Sequence, residues 1–141
     1  MAPSVHARDD HALGRRGERR AARALKRRGL RIAARRLRLP AGEVDLLALD
    51  GDTVVVVEVK SGRRTPFAEL AARVGAAQRR RLARVVAWLE RRPDLVGRAV
   101  RVDFVLVRFE RWPRARVEHR RDQILPTEGT SRGQPASKGW A

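Results

Sequence analysis

Two rhythms of apolar residues organise this chain. From Glu43 to Leu49 and from Thr53 to Ser61 they alternate with polar positions or run unbroken, as strands do, and Asp50-Gly51-Asp52 between them predicts a hairpin. Leu82, Val85, Val86 and Leu89 follow instead the i, i+3, i+4, i+7 spacing of a helix facing a core. That helical region extends to Arg92, breaks near Gly75 and is ended by Pro93. A first helix, from near Leu13 to Arg28, has the narrower stripe Ala21, Ala22 and Leu25, with Gly29 as its stop. Leu30 to Leu39 reads as a strand before the turn Pro40-Ala41-Gly42, Ala99 to Phe109 as another, and Arg116 to His119 as a short edge strand. The order α-β-β-β-α-β-β predicts an α/β fold with a mixed central sheet flanked by helices: an antiparallel meander, then a helical crossover to the same sheet. Residues 1–12 and 126–141 show no periodicity and are expected as disordered tails on a single domain, 13–125.

The hairpin can be tested by arithmetic. With Gly51-Asp52 as its loop, opposed residues sum to 103 and Asp45 faces Glu58; with Asp50-Gly51 the sum is 101 and Asp45 faces Val56. Either even loop leaves Asp45, Glu58 and Lys60 on one face, whereas a three-residue loop sends Asp45 to the other. The opposite face, Val44, Leu46 and Ala48 with Val55, Val57 and Val59, is wholly apolar, and Leu47, Leu49, Val54 and Val56 follow on the site face near the turn. Strands apolar on both sides are covered on both sides. Two acids and a lysine in such a sheet are costly unless they pair or hold a metal, so they mark the place for chemistry. One hard cation, Mg²⁺ or Mn²⁺, suits the donors, with Asp45, Glu58 and the carbonyl of Val59 as ligands. Lys60 would orient or help deprotonate an attacking water and steady charge on phosphorus, which implies phosphodiester hydrolysis. Glu43 is a structural carboxylate or an outer neighbour of the metal, and Asp103 is expected to tune the sheet end or to pair with Arg101 or Arg98.

Composition supplies the substrate class. The 141 residues carry a formal net charge of +17, and between Arg8 and Arg38 twelve arginines and Lys26 face three acids, a net of +10. Such a surface attracts a polyanion, most simply nucleic acid, and DNA is the expected partner. Only three of the 33 basic residues are lysines, which makes Lys60 in the sheet the more notable, because a compact ammonium suits water activation better than a guanidinium. With 4% aromatic residues and no tyrosine, base-stacking platforms are expected to be sparse and phosphate contacts to dominate. Absence of cysteine, and three histidines without ligand spacing, argue against a transition-metal cage. No apolar run approaches the ~20 residues of a membrane span, and a cytoplasmic protein without a membrane partner is expected.

Gly17-Glu18 on the first helix, Gly42-Glu43-Val44-Asp45-Leu46-Leu47-Ala48, Val57-Glu58-Val59-Lys60 and Val102-Asp103-Phe104-Val105 together resemble the YraN-like family of uncharacterised bacterial proteins. That family looks like a branch of the restriction-endonuclease-like superfamily, whose pattern is PD-(D/E)xK. The similarity runs from about Gly14 to Phe109. It implies a restriction-endonuclease-like core and, position by position, a metal-binding Asp45, a second acid Glu58, a catalytic Lys60 and, in Glu18, the helix glutamate that completes such sites. Two positions depart from the pattern: Gln78 stands where many relatives carry a basic residue, and Leu82 where a tyrosine often follows it. The expected function is therefore a Mg²⁺-dependent, endonuclease-like protein, with Arg15, Arg19, Arg63, Arg64, Gln78, Arg80 and Arg84 contacting DNA. The expected protein partner is a second copy, a homodimer that would pair two active sites, or a DNA-processing protein. The alternative is a non-catalytic nucleic-acid-binding module on the same fold, with a basic RNA-associated protein as a third reading.

Overall fold

The central hairpin sets the order of the sheet. In the computed structural model, which describes residues 5–125 and side chains from residue 10, β1 (Arg31–Leu39), β2 (Gly42–Asp50) and β3 (Thr53–Arg63) form an antiparallel meander. The chain crosses over through α2 (Phe67–Ala72) and α3 (Ala76–Glu90) to β4 (Val100–Phe109), parallel to β3, and β5 (Ala115–Arg120) adds an antiparallel edge. Strand order follows chain order, β1-β2-β3-β4-β5. The helix α1 (Val5–Arg27) packs on one face of the sheet, and α2 and α3 pack on the other. This is the flanked mixed sheet that the patterning predicts.

Two apolar layers hold it. Ala21, Ala22 and Leu25 of α1 meet Leu46, Ala48, Val55, Val57, Val105 and Val107. On the other side Leu82, Val85, Val86 and Leu89 of α3, with Leu70 of α2, meet Val54, Val56, Val102, Phe104 and Leu106. Each valine, leucine or phenylalanine among them contributes about 1.5–3 kcal/mol relative to leaving it in water. The strand β3 is buried on both faces, as an uninterrupted valine run requires.

Three details differ from expectation, and the break near Gly75 falls where it was expected. The helix α1 begins at Val5 rather than near Leu13, because a helix propagates past its apolar stripe at little cost through a stretch without a breaker. The strand β3 runs beyond Ser61 to Arg63, carried by its ladder with β4, in which Gly62 faces Arg108 and Arg63 faces Phe109. Two helices stand where one region was drawn, with Gly75 as the cap of α3 at the expected break. Val44 leaves the α1 side, where strict alternation puts it, and joins the α3-side core with Leu37 and Leu39. The alternation fails there because the partner strand β1 carries Arg36 in a left-handed conformation, φ 47°, opposite the point where β2 parts from β3. The tail residues 1–4 and 126–141 lie outside the described residues.

Candidate active site at the opening between β2 and β3

The hairpin closes on Gly51-Asp52, with Asp50 facing Thr53, so opposed residues sum to 103, the even register that unites the three charged residues. Its ladder runs from the turn to Leu46 opposite Val57 and stops. In the next rung Val59 would bond to Val44; instead its N–H donates to Asp45 Oδ2 at 2.9 Å. On the other side β3 stays fully paired with β4 from Val54 to Arg63, so the strands open only toward β2. Val54 and Arg64, both even-numbered, donate backbone N–H groups toward the β4 side. Val59, odd-numbered, therefore turns its carbonyl toward the opening, where a metal ligand was expected.

Glu58 lies at the centre, 3% exposed. Lys60 Nζ is 3.6 Å from its Oε1 and Arg81 3.7 Å from its Oε2. Gln78 Nε2 donates to Oε1 over 3.4 Å. These contacts are long, and among the described residues Glu58 Oε2, Gln78 Oε1 and Arg81 Nε are buried without a hydrogen-bond partner. A buried, loosely satisfied carboxylate resists ionisation. Burial first, and then the nearby Asp45, push the Glu58 carboxyl up to about 7, with Lys60 and Arg81 offsetting part of the shift. Asp45 is also raised by burial, against the hydrogen bond from Val59 and with Glu18 adding to the rise.

Glycines set the approach of the helices. A Cβ on Gly17 would stand 2.6 Å from Ser61 Oγ, so α1 can cross β3 this closely only without a side chain there. That crossing brings Glu18 near Asp45, but its carboxylate is taken by Arg36 of β1 at 2.9 Å. Among the described residues no group of three or more His, Cys, Asp or Glu side chains converges to hold a metal, so the acids facing each other in the opening are two, Asp45 and Glu58. On the other face Gly42, at φ +149°, leaves room for the Arg81 stem, which a Cβ would approach to 2.8 Å.

The stretch from residue 17 to residue 107 matches the family described as Uncharacterised protein family UPF0102. The chain belongs to it. This is the YraN-like family that the motifs resemble. A UPF0102 protein of Chelativorans sp. (strain BNC1) is 46% identical over 100 residues, 71% of this chain and 80% of that protein. One from Beutenbergia cavernae is 44% identical over 113 residues, 78% and 93% of the two chains. Another, from Streptomyces griseus subsp. griseus, is 40% identical over 111 residues, again 78% and 93%. The UPF0102 match spans Glu18, Asp45, Glu58, Lys60, Gln78 and Arg81 and ends before Trp112.

Sequence reasoning missed Arg81 in this UPF0102 chain, although its spacing shows it. Gln78, Arg81, Leu82 and Val85 follow i, i+3, i+4, i+7, so the two polar residues continue the core stripe of α3 and meet Glu58 there. Arg80 and Arg84, proposed as DNA contacts, lie on the exposed side of α3. Arg15 and Arg19 are exposed on α1, across the sheet, and Arg63 and Arg64 are exposed where β3 ends. The candidate DNA contacts thus divide between two faces and one end of the sheet. Glu43, the other acid near the site, is exposed opposite Arg38. Among the described residues no helix is long and apolar enough to cross a membrane.

Proposed function

We propose that this UPF0102 protein is a Mg²⁺- or Mn²⁺-dependent nuclease with a restriction-endonuclease-like core, hydrolysing DNA phosphodiester bonds in the cytoplasm. The observation that carries the reading is the pair of half-buried Asp45 and buried Glu58 in a strand opening with Lys60 beside them. Oxygen donors, two carboxyls that burial pushes up, and a Glu58 Oε2 without a hydrogen-bond partner among the described residues fit a hard divalent cation. Asp45, Glu58 and the Val59 carbonyl would hold it. When bound, such a cation polarises a phosphoryl oxygen and lowers the pKa of a water. Lys60 would orient or help deprotonate an attacking water for in-line displacement: the P–O bond to the water oxygen would form as the P–O bond to the leaving sugar oxygen breaks, the water's proton passing to solvent and a solvent proton going to the leaving oxygen. Gln78 and Arg81 present amide and guanidinium donors from α3 to the phosphate. Incubating linear, single-stranded and four-way-junction DNA with Mg²⁺ or Mn²⁺ tests the reading. Cleavage by wild type that disappears in Lys60→Ala, with binding retained, is expected; binding without cleavage in both proteins refutes catalysis.

One observation favours a second reading. Lys60 and Arg81 already flank Glu58 with positive charge, which suits a non-catalytic DNA-binding module whose acids are vestigial and which acts as a scaffold for DNA-processing enzymes. Thermal stability separates the two. A metal site gains stability with Mg²⁺ by mass action and loses that gain in Asp45→Asn; the scaffold shows no gain in either protein.

A further inference from the structure

Trp112, in the turn between β4 and β5, is 75% exposed. Its neighbours are cations. The Arg16 guanidinium of α1 lies 5.0 Å from the Trp112 ring and 4.8 Å from Phe109, and Arg20 holds the turn by donating to the Pro113 carbonyl at 2.7 Å. The indole is therefore fixed in place while still facing water. Beside it opens a cleft of about 350 Å³, with Arg63, Arg64 and Arg114 on its other walls. Among the described residues no carboxylate pairs with those three arginines, and Glu110, at the rim, is paired with Arg108 at 2.9 Å.

Unpaired guanidiniums around a fixed aromatic face match one chemical class, a nucleotide with its base free to stack. A base paired within continuous duplex has no such free face. Position adds to the match. Arg63 follows Lys60 by three residues on β3, about 10 Å along the strand, and the odd separation turns it to the α1 side with Phe109, so a DNA strand passing round the end of β3 can reach both the opening and the cleft. We propose that this cleft binds an unpaired nucleotide of the DNA, its base stacked on Trp112 and its phosphate held by Arg63 and Arg64. The substrate class is then DNA with an exposed single strand, such as a frayed end, overhang or branch, rather than uninterrupted duplex. Trp112 supplies the stacking platform that the low aromatic content argued against. The inference rests on the reading of the chain as DNA-binding.

The test compares the full chain with Trp112→Ala and Trp112→Phe, titrated with oligothymidylate and with a blunt duplex of equal phosphate number. Binding of oligothymidylate should quench tryptophan emission in wild type and much less in Trp112→Phe. Trp112→Ala should weaken oligothymidylate binding about 5- to 150-fold, the range of one base–aromatic stack, and leave duplex binding unchanged. Trp112→Phe should recover most of that affinity. Arg63→Ala and Arg64→Ala should each flatten the salt dependence of single-strand binding by about 0.7 in log–log slope. Equal losses for both ligands in Trp112→Ala, or no loss for either, overturn the stacking site while DNA binding by wild type stands. Wild type that binds no DNA overturns the stacking site and the proposed function together.

Discussion

Asp45 accepts the Val59 N–H at 2.9 Å, in the rung where a backbone carbonyl of β2 would otherwise bond. One side chain thereby ends the β2–β3 ladder and satisfies the amide that the ending exposes. Structure and chemistry depend on different properties of that carboxylate: the amide needs an acceptor, a metal needs a charge. Asp45→Asn keeps an acceptor oxygen, so its urea midpoint should stay within about 1 kcal/mol of wild type while any Mg²⁺-induced stabilisation is lost. Asp45→Ala removes the acceptor as well and should cost about 1–3 kcal/mol, read from the same denaturation curves.

Glu58 gives the protein a pH signature. Its carboxyl is raised from 4.5 to about 7 by burial and by Asp45, so between those values the folded state holds a proton that the unfolded chain has released. Stability from this group is full below the unfolded value and falls as pH rises through the folded one, by of order 3 kcal/mol. Urea denaturation from pH 4.5 to 8 should show that decline, and Glu58→Gln should flatten it. A cation selects the ionised carboxyl, so stabilisation by Mg²⁺ should grow over the same interval and be small at its acid end.

On the neighbouring strand β4 the opposite sign applies to Asp103, which faces Val57. Asp103 is fully buried; burial alone would raise its carboxyl, but hydrogen bonds from His119, Arg101 and the Asp122 N–H outweigh it and hold the group below 3.8. Its contribution is present above that value and lost as pH falls below it. Arg101, itself buried, spans from Asp103 at 3.0 Å to Asp50 of the hairpin turn at 2.8 Å. Asp103→Ala leaves the buried guanidinium with Asp50 alone and deprives His119 and the Asp122 N–H of their acceptor, and should cost about 3–5 kcal/mol. The double variant Arg101→Met/Asp103→Leu should cost less than Asp103→Ala alone, giving a large coupling term in a double-mutant cycle by urea denaturation.

The alternation of β2 and β3, the α3 stripe and the Asp103–Arg101 pair were legible because each depends on spacing along one or two adjacent elements. So was the convergence of Asp45, Glu58 and Lys60, since an even loop fixes the face. Arg36 was not: arginine carries no signal for a left-handed φ, and its partner Glu18 lies on another element. Nor was the placement of Val44, which depends on that irregularity and on the end of the ladder at Leu46. Trp112 meets Arg16 from the far end of the domain, a contact no local period encodes. Local rules thus placed the acids and the lysine, while the surroundings of the site arose from long-range packing.

Gly17 tests how tightly that packing is specified. In an exposed helix interior Gly→Ala gains about 1 kcal/mol from propensity. Here the new methyl would stand 2.6 Å from Ser61 Oγ and 2.7 Å from Ser61 Cβ, closer than side chains approach. Overpacking costs typically about 1–3 kcal/mol, so Gly17→Ala should be net destabilising by thermal or urea unfolding, the sign opposite to the helix-propensity expectation. Ser61→Gly removes both contacting atoms, and in its background Gly17→Ala should lose most of that penalty. The same displacement of α1 would draw Glu18 away from Arg36 and Asp45. Titration of Asp45 followed by NMR should therefore move toward the ordinary aspartate range in Gly17→Ala, as its acidic neighbour recedes and water enters. An unchanged titration would mean that α1 absorbs the methyl without moving.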